Sequence, residues 1–382
     1  MYTITDHGKM IADTVRLDAY DRAIQQAVKP GDTVIDIGSG TGIFALSAAK
    51  YGAGRIYAVE PGDVIQLARE IAAANGYDAR IEFIKKPVKQ VSLDRPADVI
   101  ISDLRGVLPL FGQQVPSIIH ARKHLLAPGG VLIPQRDDLW AAIVTAPELY
   151  RRITHPWCSA PIGLDMRSAR DYLAHTWIRG RVLPQQLMTS PHCWASLDYN
   201  TVETPNISEN LKWTVTRSGT AHGMLVWFDA VLTDDIVFSN APGEPELIYA
   251  NAFFPWLEPI ALAVDDTVSV TFSANLVGQD YLWRWDTLIF EKGRADRTKA
   301  RFRQSTFYSM PLSPAELHKQ AVSHQPALNT DGRIDQDILN QMDGRISLEG
   351  IACRIVEKFP DHFTSTRDAL YRVRDLSKKY SR

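Results

Sequence analysis

Val34-Ile35-Asp36-Ile37-Gly38-Ser39-Gly40-Thr41-Gly42 is the stretch whose reading decides the fold. Val34 to Ile37 is an apolar, β-branched run short enough for a fully buried strand. Three glycines then alternate, and beyond them Phe44, Ala45, Ala48 and Ala49 recur at helical spacing. Strand, glycine turn and helix N-terminus set free N–H groups and a positive dipole end beside a ligand. A dinucleotide fold would use G-x-G-x-x-G, with its third glycine inside the helix. Here that glycine comes one residue early, and Asp36 stands near the strand end. A second strand, Arg55 to Val59, ends in Glu60, a carboxylate placed to accept both hydroxyls of a ribose. A ribose without a pyrophosphate points to S-adenosylmethionine, in a Rossmann-like α/β sheet.

Working outward, the length of 382 residues exceeds one ordinary core and gives a prior of two or three domains. A formal charge of -2 gives no electrostatic case for nucleic acid or an anionic membrane. Cys158, Cys193 and Cys353 show no metal or disulfide spacing. The N-terminus Met1-Tyr2-Thr3-Ile4-Thr5-Asp6 lacks a signal peptide's basic and apolar regions, and no apolar run is long enough to span a bilayer. The expectation is a cytoplasmic enzyme without a metal.

His7 to Tyr20 reads as an amphipathic helix, with Ile11, Val15 and Ile24 as its apolar stripe. An arginine there, Arg16, suits an amino-acid carboxylate. The run also resembles the N-terminal helix of the protein arginine methyltransferases in its His7, Met10, Asp13, Arg16 and Tyr20. The glycine stretch and Tyr57-Ala58-Val59-Glu60 resemble that family's next two motifs. The resemblance implies that Arg16 holds the methionine carboxylate, Gly38, Gly40 and Gly42 pass under the cofactor, and Glu60 takes the ribose. His7, Met10 and Asp36 join them as cofactor-site candidates. After a strand at Ile81 to Ile84, the family sets a valine and a glutamate over the adenine; this chain has Val88 and Lys89.

Asp98 to Asp103 is a further strand, delivering Asp103 to the carboxyl edge where open α/β sheets bind ligands. Asp103 is the catalytic candidate, with a turn-capping role as its alternative. The family carries two glutamates on the following loop to grip a guanidinium. Asp103 stands at the first, while Leu110-Phe111-Gly112-Gln113-Gln114 offers no second carboxylate.

Residues 1–134 are therefore read as the cofactor-binding domain. From 135 to 312 the pattern turns to β segments at Asp138 to Thr145, Leu211 to Arg217, Met224 to Leu232 and Thr267 to Asn275. Tyr281, Trp283 and Trp285 share one strand face, expected to pack inside a barrel. A more helical insert at about 147–191 contains Gly163-Leu164-Asp165-Met166, similar to the family's dimerisation arm; a homodimer follows from that resemblance. The family's threonine-histidine-tryptophan loop corresponds to Glu246 to Asn251, without the histidine. His222 is given no catalytic role. Residues 313–382 form a helical domain, with helices at Ile334 to Gly344, from Ser347, and at Ser365 to Tyr380. Its spacing is similar to small, winged-helix-like PqqD-type peptide-binding domains, and a plain helical bundle is the alternative.

The expected activity is methyl transfer from S-adenosylmethionine to a nitrogen or oxygen of a protein or peptide, with an acceptor other than arginine because the acidic pair is broken. Two alternatives stand beside it. One is genuine arginine methylation with a carboxylate from elsewhere, such as Glu246 or Asp286. The other is an inactive cofactor-binding scaffold for a partner enzyme.

Overall fold

The structure is a computed structural model that describes residues 2–158, 161–294 and 297–381. Met1, in the N-terminal reading above, and residues 159–160, inside the arm, lie outside the described residues. Two compact units divide the chain, Met1–Pro311 and Leu312–Arg382.

The first unit opens with α1 (Ile4–Ala12) and α2 (Thr14–Ala27) rather than one continuous helix. Asp13 causes the break. Its side chain accepts from the Arg16 N–H and so starts a new helix, as N-cap aspartates do. The break also rotates the apolar stripe. Ile11 and Val15 are exposed, whereas α2 buries Arg16, Ala19, Tyr20, Ala23 and Ile24.

There follow β1 (Thr33–Ile37), α3 (Ile43–Lys50), β2 (Arg55–Val59), α4 (Ile65–Ala74), β3 (Ile81–Ile84), β4 (Ala97–Ser102), α5 (Gln114–His124) and β5 (Leu126–Ile133). The five strands make one parallel sheet in the order β3-β2-β1-β4-β5. Every residue of β1 is buried, which explains why it is an unbroken apolar run instead of an alternating one. The order reverses at β1, between β2 and β4, the point where such sheets bind ligands.

The rest of this unit is mostly antiparallel: β6 (Arg136–Val144), α6 (Pro147–Cys158), α7 (Arg170–Leu173), β7 (Ile178–Gly180), β8 (His192–Asp198), β9 (Ile207–Thr214), β10 (Gly219–Thr233), β11 (Ile236–Ser239), β12 (Asn251–Leu262), β13 (Thr267–Val277), β14 (Asp280–Phe290) and β15 (Thr298–Ser305). One sheet runs β7-β12-β10-β6-β8 with β11 added to β10; the other runs β15-β14-β13-β9. Their inner faces share one core, in which Trp283 and Trp285 of β14 pack on Phe272 and Phe254. The aromatic strand face is packing, as expected. His222 is likewise structural, its Nδ1 accepting from the Ala146 N–H at 3.2 Å.

The second unit holds α8 (Pro314–Lys319), α9 (Thr330–Asn340), α10 (Leu348–Lys358) and α11 (Thr366–Tyr380). Ser347 caps α10 as the sequence suggests, and Ser365, read as the first residue of the last helix, is the cap of α11. Ile334, Ile338, Ile351, Ile355, Ala369 and Val373 form the core of this unit. Its described residues contain no strand, so the wing of a winged helix has no counterpart there. The link from α10 to α11 is short, is interrupted by Pro360, and turns Phe363 into the helical core. No helix among the described residues is long and apolar enough to cross a membrane.

Candidate active site

At the carboxyl edge of β1, β2 and β4 lies a cavity of about 430 Å³. Its walls come from α1 and α2, the glycine loop, Glu60, residues 103–107, and Trp177, Arg179, Ile248 and Tyr249. That volume suits a ligand of cofactor size.

Gly38 and Gly40 both have positive φ, at 72° and 53°. A Cβ at Gly38 would run into the Leu104 side chain, and one at Gly40 would press on the His7 ring at 3.2 Å. Only glycine therefore leaves the floor open to a ligand. His7 and Met10 of α1 line the cavity. Glu60 presents a carboxylate whose two oxygens accept from Gly62 N–H at 2.7 Å and Gly40 N–H at 3.2 Å. Those bonds orient it toward the floor and leave lone pairs for hydroxyl donors. The donor set fits an adenosyl amino acid: a carboxylate for the ribose, a backbone cradle, and a guanidinium for the carboxyl end.

Asp36 has another task. Its Oδ2 accepts from the Ala45 N–H at 3.0 Å and so ties the strand end to the first turn of α3. Oδ1 has no hydrogen-bond partner among the described residues. Burial, aided by the Glu60 charge, pushes the Asp36 carboxyl up to about 7. Asp36, Gly42, Val88 and Lys89 do not line the cavity. Gly42 caps α3, Val88 packs in the core, and Lys89 donates to Gln113 at 3.1 Å.

Asp103 sits just past β4 with its side chain almost wholly buried at the cavity wall. Its Oδ2 receives Arg16 Nε at 2.5 Å, Arg16 Nη2 at 2.5 Å and the Tyr249 hydroxyl at 2.6 Å. Its Oδ1 receives Arg105 Nη1 at 2.9 Å. Burial alone would raise this carboxyl; Arg16 and then Arg105 outweigh it and hold Asp103 below the usual carboxylate range. Arg16 also donates to the Tyr249 oxygen at 2.9 Å and to the Met10 carbonyl at 3.3 Å. The arginine expected to meet a ligand carboxylate thus also holds the site's own aspartate.

Sequence reasoning missed Arg105, Asp137 and Tyr249. Arg105 forks onto Asp137 of β6, Nε to Oδ2 at 2.9 Å and Nη2 to Oδ1 at 2.7 Å, with both side chains fully buried. The only sequence hint was a guanidinium two residues beyond Asp103; nothing local named its partner 32 positions away. Tyr249 stands within the segment already singled out as the histidine-lacking loop. Glu246 pairs with Arg181 at 3.5 Å and Asp286 with Arg284 at 2.5 Å; neither carboxylate reaches the cavity. Among the described residues no cluster of three or more metal-ligating side chains occurs.

Two family models match the chain. Residues 17–155 match the ribosomal protein L11 methyltransferase model, and residues 135–282 match the arginine methyltransferase oligomerization subdomain. Neither extends past residue 282. Protein arginine N-methyltransferase 6 of Danio rerio is 30% identical over 296 residues, spanning 73% of this chain and 82% of that protein. Arabidopsis thaliana protein arginine methyltransferase 10 superposes with a TM-score of 0.71 at 24% identity, covering 79% of this chain and 97% of that one. The Trypanosoma brucei PRMT1 enzyme–prozyme heterotetrameric complex with AdoHcy gives 0.71 at 21% identity, over 78% and 96%.

Proposed function

The chain belongs to the protein arginine N-methyltransferase family, and from that premise we propose that it methylates a nitrogen of an arginine side chain in a protein or peptide, using S-adenosylmethionine. The observation that carries this reading is the convergence of Arg16, the glycine floor, Glu60 and Asp103 on one cavity. When bound, S-adenosylmethionine supplies a methyl group on a positively charged sulfur; the acceptor nitrogen gains that methyl and loses a proton, and the sulfur departs as a neutral thioether.

The chain's own part is alignment. Glu60 accepts the ribose hydroxyls, Gly38 and Gly40 admit the ligand to the backbone, and Arg16 offers guanidinium donors to the carboxyl end. Asp103 orients the acceptor against the cofactor, and the apolar walls from Trp177 and Ile248 exclude water from the transfer. A homodimer through the arm belongs to the same reading. It is supported by the match to an oligomerization subdomain and by the exposed Ile162, Leu164 and Met166 at the arm. A cytoplasmic location also belongs to it, supported by three free cysteines.

One observation favours a second reading, transfer to a smaller nitrogen or oxygen acceptor. Both Asp103 oxygens already accept from Arg16, Arg105 and Tyr249, and Leu110 to Gln114 give the following loop no carboxylate to share a guanidinium. Labelled S-adenosylmethionine on an array of arginine-containing peptides, followed by methyl-arginine analysis, separates the two. Methyl-arginine as the dominant product supports the first. Label on other residues supports the second, and binding without turnover would support the inactive scaffold.

A further inference from the structure

We infer that Arg105 is a positioning residue for methyl transfer: anchored on Asp137, its guanidinium fixes the Asp103 carboxylate at the cavity wall, so that a single carboxylate can present the acceptor in one orientation. The inference rests on the role given to Asp103 in the reading above.

The geometry is a buried chain of alternating charge. Arg16 grips one oxygen of Asp103 and Arg105 grips the other, so the carboxylate cannot rotate about its own axis. Arg105 is itself immobile. Its outer fork is spent on Asp137, its Nη1 also donates to the Tyr20 hydroxyl at 2.6 Å, and its guanidinium lies over Phe228 and Phe238 at 5.5 and 5.8 Å. Asp137 is held in turn by the Tyr199 hydroxyl at 2.5 Å, to which Gln114 donates at 2.9 Å. The arrangement spans the parallel sheet, the antiparallel sheet and α5, and Arg105 and Asp137 are wholly buried.

A clasp between the two sheets would need only the Arg105–Asp137 pair. Well-packed apolar residues of the same volume would hold two sheets about as firmly, because taking charges out of water costs much of what their attraction returns. The third contact, from Arg105 to Asp103, is the one a clasp does not require. It is also the only one of the three that reaches the cavity wall. The Arg105 side chain is wholly buried and its guanidinium is engaged by Asp137, Tyr20 and Asp103, so its route to the cavity runs through Asp103.

The charged and titratable groups facing Asp103 are Arg16 and Tyr20 from α2, Arg105 after β4, Asp137 from β6, Tyr249 before β12, Asp36 from β1, and Tyr2 ahead of α1. Of these only Arg16 and Arg105 are cations. Removing Arg105 should therefore let burial raise the Asp103 carboxyl.

The test is the paired variant Arg105→Met/Asp137→Asn, which leaves neither charge stranded, with Arg105→Lys and Asp103→Asn beside it. Turnover is read as S-adenosylhomocysteine release with the pooled arginine-containing peptides as acceptor. The paired variant should fold and bind S-adenosylhomocysteine, with kcat reduced about a hundredfold, the cost of misplacing a reacting group by roughly an ångström. Its acid limb should also lie at higher pH than that of the wild type. Arg105→Lys keeps the charge and should keep the wild-type profile, with turnover down at least about tenfold, because a lysine cannot fork between two carboxylates. An acceptor-free readout runs alongside: S-adenosylhomocysteine affinity of the paired variant should rise on acidification, since a neutral Asp103 releases Arg16. A folded paired variant with wild-type turnover and wild-type pH profiles overturns the inference. If the paired variant does not fold, wild-type turnover by Arg105→Lys overturns it. Full activity in Asp103→Asn would sink the role of Asp103 itself, which is a separate failure from that of Arg105.

Discussion

Asp36 offers the sharpest test of how the glycine loop is held, because its protonation is tied to a number. Burial places its carboxyl at about 7 in the folded chain, against about 3.9 in an unfolded one. Between those values the folded state keeps a proton that the unfolded state has lost. The unfolded state then binds fewer protons, so stability must fall as pH rises. The contribution is complete below about pH 4 and is gone by about pH 7, at roughly 1.4 kcal/mol per pH unit and about 4 kcal/mol in all. Asp36→Asn is permanently neutral and retains an oxygen for the Ala45 N–H. Asp103 and Asp137 titrate in both proteins and cancel in the comparison. Urea unfolding followed by tryptophan fluorescence reads the right unit, since all nine tryptophans lie before residue 312. The difference in unfolding free energy should move in favour of Asp36→Asn by about 4 kcal/mol between pH 4 and pH 8. Parallel pH profiles for the two proteins would show that Asp36 is ionised in the fold, and the reasoning would be wrong.

Other outcomes concern the cavity itself. Glu60→Ala should leave the fold intact and weaken S-adenosylhomocysteine by roughly 1–3 kcal/mol in calorimetry, the penalty for leaving ribose hydroxyls unpaired; unchanged affinity would remove Glu60 from the site. Arg16→Ala should weaken S-adenosylmethionine much more than adenosine, which lacks the carboxylate, and equal losses would mean that Arg16 serves only Asp103. That variant should also unfold more easily, by about 3–5 kcal/mol, because Asp103 loses a buried partner.

Local chemistry made the parallel half of the molecule legible. A buried parallel strand is continuously apolar, its glycines are forced by backbone geometry, and its helix follows at once, so the signal for β1 and α3 lies within seventeen residues of chain, 34–50. Aspartate at position 13 was read as part of a helix face, because cap and interior positions differ only in where the side chain turns. The site was legible as far as its local pieces went. Arg16, Glu60 and Asp103 could be picked out one by one, but their mutual engagement could not. Arg16 meets Asp103 across 87 positions and Tyr249 across 233. Arg105 and Asp137 form a pair that no periodicity marks, since buried ions have no pattern of their own. The β segments were found by alternation where one face is solvated, as in β9 and β13. They were missed at β7, which is short, at β12, whose first half is buried throughout and does not alternate, and at β8 and β15.

The carboxylate of Asp13 carries one last consequence. One oxygen starts α2 by accepting from Arg16, and the other accepts from the Ile248 N–H at 2.7 Å, in the loop that holds Tyr249. A single side chain therefore sets both the direction of the helix that supplies Arg16 and the height of the loop that answers it. No isostere can divide the work: asparagine has one acceptor, and its amide would turn N–H against N–H at whichever partner it failed. The helix that carries Arg16 and the loop that carries Tyr249 are thereby indexed to each other through one carboxylate.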